Sequence, residues 1–294
     1  MRRHTVQFLV ALTALTFVGQ QAAHGFGTIG SDRPQKATVS FDLYRDYLIV
    51  IRGSVGPLKG LNFLLDTGAN PSVIDPRLAE KLHLSVTPTD VAVLSGNVHG
   101  GTATVPSLQL GPIRRENLPV LIEDLSFLQK ALPIEIDGMV GLDVLGSSVF
   151  VIDYPSREIR FGPAPSMSLS IPFQMKGGLP ILDAAVNHVA VHLLLDTGSP
   201  SLILFEETAI TVMGSKITGP QPPPKHIGDS KSKQVRLTSF KLGEAEFGRE
   251  SALQVQNHKD AGHDFDGLMS PAALGITRVA VDLGRGTLAF AQQP

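Results

Sequence analysis

The 294-residue chain has no cysteine, no tryptophan and only three tyrosines. Without cysteine there are no disulfides, no thiolate metal sites and no cysteine nucleophile. A chain built this way needs no oxidising folding step. Charge is sparse as well: 18% of residues are charged, the formal net charge is −2 and the pI is about 6.5. That balance lacks the basic face of a nucleic-acid binder. Long apolar runs are missing beyond the N-terminus, so no later segment is suited to cross a membrane as a helix. No P-loop, dinucleotide fingerprint or G-x-S-x-G nucleophile elbow occurs. What the chain does have is 43% hydrophobic residues, enough to bury a core, with 29 glycines and 21 prolines. That mixture suits a turn-rich β protein.

The N-terminus reads as an export address. Arg2 and Arg3 precede an apolar run from Val6 to Val18, and Ala23 and Gly25 form a small-residue cleavage pair before Phe26. Residues 1–25 are therefore expected to be a signal peptide, the alternative being an uncleaved anchor. Its removal leaves a net charge of −4, two arginines and no acids being lost from the −2 of the whole. The expected location is periplasmic or secreted, with no membrane association after cleavage. Residues 26–40 contain no obvious activation prosegment.

The strongest signal is self-similarity. FLLDTGANPSVI at 63–74 matches LLLDTGSPSLIL at 193–204, and IDGMVGLDVLG at 136–146 matches FDGLMSPAALG at 265–275. VFVIDYPSREIRF at 149–161 matches RVAVDLGRGTLAF at 278–290, and SLQLG at 107–111 matches SFKLG at 239–243. Four blocks recur in one order at nearly one period, which points to a duplication. The expected units are 26–164 and 165–294, joined at the Pro/Ser-rich run 162–170.

Each unit reads as short strands closed by turns, including Tyr47–Ile51, Gly60–Leu65 and Val149–Asp153. YPSR at 154–157 and LGRG at 283–286 read as hairpin turns. One helix is signalled by Asp75 as N-cap and Pro76 at the first helical position. FEETAITVM at 205–213 is its candidate counterpart, and helical turns are expected after Gly141 and Ser270.

An Asp set between a buried apolar run and a glycine turn is costly unless donors surround it. Two such turns related by duplication suggest a pseudo-two-fold axis that brings Asp66 and Asp196 together. Carboxylates that close share a proton and titrate as a pair. One takes a proton from a water molecule while the other donates to a carbonyl oxygen, which hydrolyses an amide without a metal or a covalent intermediate.

Here the chain resembles the retropepsin-like, pepsin-related aspartic peptidases. The residues that carry the resemblance are DTGA at 66–69 with SVI at 72–74, DTGS at 196–199 with SLI at 201–203, and GMVG at 138–141. The resemblance implies an all-β chain of two homologous retropepsin-like β-barrel lobes with short helices, pseudo-two-fold related. It implies Asp66 and Asp196 as catalytic residues, Thr67 and Thr197 bonding across the lobes, and Gly68 and Gly198 admitting backbone donors. It further implies a flap over the substrate around Val93–Val105, with Ser95, Gly96, His99, Gly100 and Gly101 in contact with it. A second, basic flap is implied at Lys225–Leu237. The expected substrate is a peptide or unfolded protein, no cofactor is called for, and a monomer with intrachain pairing is favoured over a homodimer. Three departures stand out. Ser270 replaces the glycine found at Gly141, neither flap carries the tyrosine of pepsin-like enzymes, and Pro71 and Pro200 follow the turns closely. The rival reading is a weak or inactive peptide-binding or regulatory protein of the cell envelope.

The remaining polar groups read as structural. Asp137, Asp153, Asp266 and Asp282 repeat at turns or strand ends, and Asp143 reads as a surface residue. His258, His263, Asp264 and Asp266 lack metal-ligand spacing, and His188 and His192, placed on one strand-like run, have no third ligand. The basic run 225–236 reads as a solvated loop, and PQPPP at 220–224 as an extended spacer.

Overall fold

A computed structural model describes residues 37–93, 96–130, 132–146, 149–214, 225–227, 230–248, 250–255 and 264–292. The expected signal peptide, the PQPPP run, Ser95, His258 and His263 lie outside these residues. The described chain is mostly β-strand, with the few helices short.

The strand Leu58–Leu65 ends on the first Asp-Thr-Gly. It pairs antiparallel with Leu48–Val55 and, at Phe63–Leu65, parallel with Gly138–Val140. Val73–Ile74 lies antiparallel to Gly138–Met139 and parallel to Leu121–Ile122. The second half has the same pattern. Val189–Leu195 pairs with Leu179–Val186 and, at Leu193–Leu195, parallel with Gly267–Met269. Leu202–Phe205 runs antiparallel to Gly267–Leu268 and parallel to Ala252–Val255.

Those pairings explain why the runs before each Asp are apolar at every position and not at alternate ones. Phe63 and Leu65 point into the main core, while Leu64 points into a second cluster with Tyr47, Val50, Val73, Leu121 and Met139. Leu193 and Leu195 enter the main core, while Leu194 joins Ile181, Ile203 and Leu268 on the opposite face. A strand buried on both faces has no polar side to show.

The halves are joined by a six-stranded antiparallel sheet. Its order is Ala37–Tyr44, Glu158–Phe161, Val149–Asp153, Ile276–Asp282, Thr287–Gln292 and Leu169–Lys176, so each half supplies three adjacent strands. At the central seam Arg278 donates to the buried Asp153 through Nε at 2.7 Å and Nη2 at 2.6 Å. Burial pushes the Asp153 carboxyl up, but hydrogen bonds from Ser156 and Arg278 outweigh it and hold the group below its ordinary value.

The punctuation signals correspond to real element ends. Asp75 caps α1 (Pro76–Lys81), accepting from the Arg77 backbone N–H at 3.0 Å. α2 (Leu142–Leu145) follows Gly141, α3 (Glu206–Met213) follows Phe205, and a single 3-10 turn, Ala272–Leu274, follows Pro271. Asp137 and Asp266 serve as matched latches: Asn62 N–H donates to Asp137 Oδ2 at 2.8 Å, and His192 N–H to Asp266 Oδ2 at 2.7 Å.

One expectation is corrected here. The run containing His188 and His192 is not a single strand. Asn187 and His188 adopt left-handed backbone (φ 49° and 67°) and form the turn between two strands. His192 faces Asp183 across that hairpin, with Nδ1 and Oδ1 at 2.8 Å. Among the described residues no group of three His, Asp or Glu side chains is placed to hold a metal ion.

Candidate active site

Each Asp-Thr-Gly turn leaves a buried strand and is tied down at once. The Asp66 N–H donates to Val140 O and the Asp196 N–H to Met269 O, both at 3.0 Å. Gly68 N–H donates to Asp66 Oδ1 at 2.8 Å, and Gly198 N–H to Asp196 Oδ1 at 2.8 Å. One oxygen of each carboxyl is thereby fixed. The other, Oδ2, is buried with no hydrogen-bond partner on both residues.

The threonines tie the two turns to each other. Thr67 Oγ1 donates to Leu195 O at 2.8 Å and accepts from Thr197 N–H at 3.1 Å. Thr197 Oγ1 donates to Leu65 O at 3.0 Å and accepts from Thr67 N–H at 3.1 Å. Four reciprocal bonds between buried groups leave the turns little freedom to separate, since breaking any one strands a buried donor or acceptor.

The carboxyl groups of Asp66 and Asp196 are neighbours. A Cβ built on Gly68 would lie 3.1 Å from Asp196 Cγ and 3.2 Å from Asp66 Oδ1, so one methyl-sized position touches both. A Cβ there would press on both acids more tightly than side chains ordinarily do, so glycine keeps this space open. Both aspartates are 0% exposed. Burial pushes Asp66 up to about 6 against the opposing Gly68 N–H. Asp196 is raised well above the carboxylate range by burial and then by the charge of Asp66. A buried pair that resists double ionisation holds a proton where isolated aspartates hold none.

Behind Asp66 lies a support that the sequence reading missed. Asp143, expected at the surface, turns inward from α2. Its Oδ1 accepts from Ser72 Oγ at 2.6 Å and its Oδ2 from Ser72 N–H at 2.9 Å. Ser72 Oγ in turn accepts from Gly141 N–H at 2.9 Å. The correction follows from α2 packing back on the Asp66 loop, where Leu142 N–H also donates to Ala69 O at 3.2 Å. A Ser six residues after the Asp and an Asp two after the Gly-apolar-apolar-Gly block are the only sequence traces of this network.

The second half lacks it. Ala272 stands at the position of Asp143, and Ser270, at the position of Gly141, is fully buried with an unpartnered Oγ. The serine side chain is accommodated behind the second turn, but its hydroxyl has no partner.

The flap residues are less gathered than expected. Thr87–Val93 and Gly96–Leu110 form a hairpin in which Gly96 pairs with Val93, His99 with Asp90, Gly100 with Thr89 and Gly101 with Pro88. Gly100 and Gly101 therefore sit toward the hairpin base and not at its tip. A Cβ on Gly101 would collide with Val86 Cγ1, so close packing and not mobility explains that glycine. His99 is exposed, with Nδ1 2.7 Å from Asp90 Oδ1, and does not join the dyad. Val98 packs against the cluster of Tyr47, Val73 and Met139. In the second half, Lys225–Ile227 pairs with Ser230–Arg236, so the basic run is a hairpin and not an irregular loop.

Residues 51–144 match the family model described as aspartyl protease. The first half carries an aspartyl protease domain. The match supports a retropepsin-like aspartic peptidase family for this segment. The matched residues take in Asp66, the hairpin, Gly138–Gly141 and Asp143, whereas Asp196 lies beyond them. No curated protein matches the chain.

Another buried acid lies on the Tyr47 face. Glu123 is 6% exposed and its Oε2 has no partner. Burial, and then the charge of Asp124, pushes it from 4.5 up to about 7. A carboxyl raised in the folded state binds more protons there than in the unfolded chain, so stability falls as pH rises from about 4.5 through 7. Glu123→Gln is expected to raise stability at pH 8 by about 2 kcal/mol and to change it little at pH 4. Urea titrations at the two pH values check this.

Proposed function

We propose that the protein is an aspartic endopeptidase in which Asp66 and Asp196, one from each half of a single chain, activate a water molecule between them. The observation that carries the reading is the pair of adjoining, fully buried carboxyls with one fixed and one unpartnered oxygen each. The aspartyl protease domain over 51–144 supports the reaction class. The matched strand pairings and the threonine cross-bonds support two lobes, 26–164 and 165–294, paired within one molecule.

In this reading the ionised member of the pair takes a proton from water as the oxygen attacks the peptide carbonyl. The protonated member donates to the developing oxyanion. The tetrahedral species then collapses with protonation of the leaving amine. Thr67 and Thr197 hold the two acids in register, and the 87–110 hairpin covers an extended peptide, excluding water. The two-half arrangement makes intrachain pairing favourable through high effective concentration. Export to the periplasm or beyond, after loss of residues 1–25, fits a hydrolase of unfolded chains.

Because burial raises both acids, the acid limb of the activity profile is expected near pH 6, where Asp66 takes up the second proton of the pair. The test is digestion of a denatured protein between pH 3 and 8 in the presence of a chelator. Internal cleavage, strongest above the acid limb and insensitive to the chelator, is the expected result. Absence of cleavage across that range with retained peptide binding would favour the envelope-binding alternative. The unpartnered Ser270 hydroxyl beside the second turn is the observation that speaks for that alternative.

A further inference from the structure

The two catalytic turns are not mirror images, and their differences complement each other. The turns are equally long, from Asp66 to Val73 and from Asp196 to Ile203, but Pro200 stands at the position of Asn70. The hairpins that reach over from the opposite half differ by one residue. Tyr44 pairs with Leu48 around a three-residue turn, Arg45-Asp46-Tyr47, whereas Lys176 pairs with Leu179 around Gly177-Gly178. The strands that follow are matched through Val50 with Leu64 and Ile181 with Leu194. Tyr47 therefore occupies the place of Gly178.

On the Asp66 side the small residue is needed. Asn70 Nδ2 donates to Gly178 O at 3.4 Å, and a Cβ on Gly178 would strike that same amide nitrogen. On the Asp196 side Pro200 replaces the Asn, and the hairpin supplies a phenol. Tyr47 is 8% exposed, with its ring set in the cluster that holds Leu64, Val73 and Met139. Two boundaries of the site touch this cluster: Val98 of the first hairpin and Ala272, two residues after the buried Ser270. Burial pushes the phenol up to about 12, with the nearby Asp196 carboxylate adding to the rise against Arg45, so Tyr47 remains a donor wherever the dyad works.

We propose that Tyr47 is a substrate-positioning residue that lines the Asp196 side of the cleft and donates its hydroxyl to the backbone of a bound peptide. Asn70 and Gly178 line the Asp66 side, which gives a pseudo-symmetric site a fixed peptide direction. This rests on the peptidase reading of the dyad. It supplies from the body of the first half a phenol that neither hairpin carries.

The test compares wild type with Tyr47→Phe, which keeps the ring and removes only the hydroxyl. An uncleavable peptide with a central hydroxyl is titrated calorimetrically, and kcat and KM are measured on a cleavable peptide of the same sequence. The loss of one hydrogen bond predicts about a tenfold rise in both Kd and KM. kcat and the unfolding midpoint should be nearly unchanged. Shortening the analogue from one end should abolish the difference between the two proteins, while shortening it from the other should preserve it. If wild type binds and cleaves and Tyr47→Phe does so equally well, the assignment of Tyr47 is overturned while the dyad stands. If wild type neither binds nor cleaves, the peptidase reading falls and this inference falls with it.

Discussion

Asp66→Asn is expected to lose at least about a thousandfold in cleavage rate and yet to be more stable than the parent at pH 7. The loss follows because an amide at position 66 neither accepts the proton of water nor carries the charge that polarises its partner. The gain follows from linkage. Asp66 is raised from 3.8 to about 6, so between those values the folded chain binds more protons than the unfolded one. Stability therefore declines as pH rises through that window and stays reduced above it. Removing the acid should return about 2 kcal/mol at pH 7, and the melting temperature should rise by several degrees. Below about pH 4 the gain should vanish, because the aspartate is then protonated in both states. The amide oxygen still accepts from Gly68 N–H, so the turn is retained. Calorimetry at pH 4 and pH 7 checks the sign, and an Asp66→Asn protein no more stable at pH 7 than wild type would contradict the burial argument.

Gly141→Ala and Ser270→Ala are expected to move stability in opposite directions although they change matched positions. At Gly141 a Cβ would collide with the Ala69 carbonyl oxygen. That oxygen belongs to the Asp66 loop and accepts from Leu142 N–H, while Gly141 N–H is held by Ser72 Oγ. The backbone has to move, at a cost of about 3 kcal/mol, and the Ser72–Asp143 network moves with it. At Ser270 a Cβ is already accommodated in full burial, and the Oγ has no partner. Removing that hydroxyl should gain up to about 1 kcal/mol, since an unsatisfied buried polar group costs more than an apolar one. Chemical denaturation of the two variants separates the outcomes; a loss at position 270 as large as that at 141 would show that the serine has a hidden structural role.

The repeat was legible because function and burial constrain the same blocks. Phe63–Leu65 and Leu193–Leu195 are apolar at consecutive positions through being buried on both faces, and the acids that follow need Gly68 and Gly198 to donate. Local chemistry fixes such features, so a linear reading finds them. Asp75 at the start of α1 is of the same kind. What escaped depended on chain segments distant in sequence. Asp143 lies in a helical turn whose polar residue reads as solvent-facing until that turn is folded back on Ser72. Tyr47 lies outside every repeated block, and the Asp196 turn it is proposed to serve comes from the other half. At Gly101 glycine alone does not distinguish freedom from crowding; the contact with Val86 does. His188 reads as part of a strand because a left-handed Asn-His pair leaves an apolar run looking continuous.

The central claim is that one proton-sharing site is assembled from both halves of a single chain. The most direct measurement is the specific activity of Asp66→Asn alone, Asp196→Asn alone and an equimolar mixture of the two, each checked for folding by calorimetry. All three are expected to be inactive, and wild-type specific activity is expected to be independent of protein concentration. Retained cleavage by either single variant, or recovery of activity on mixing, would show that the acids do not work as an intrachain pair.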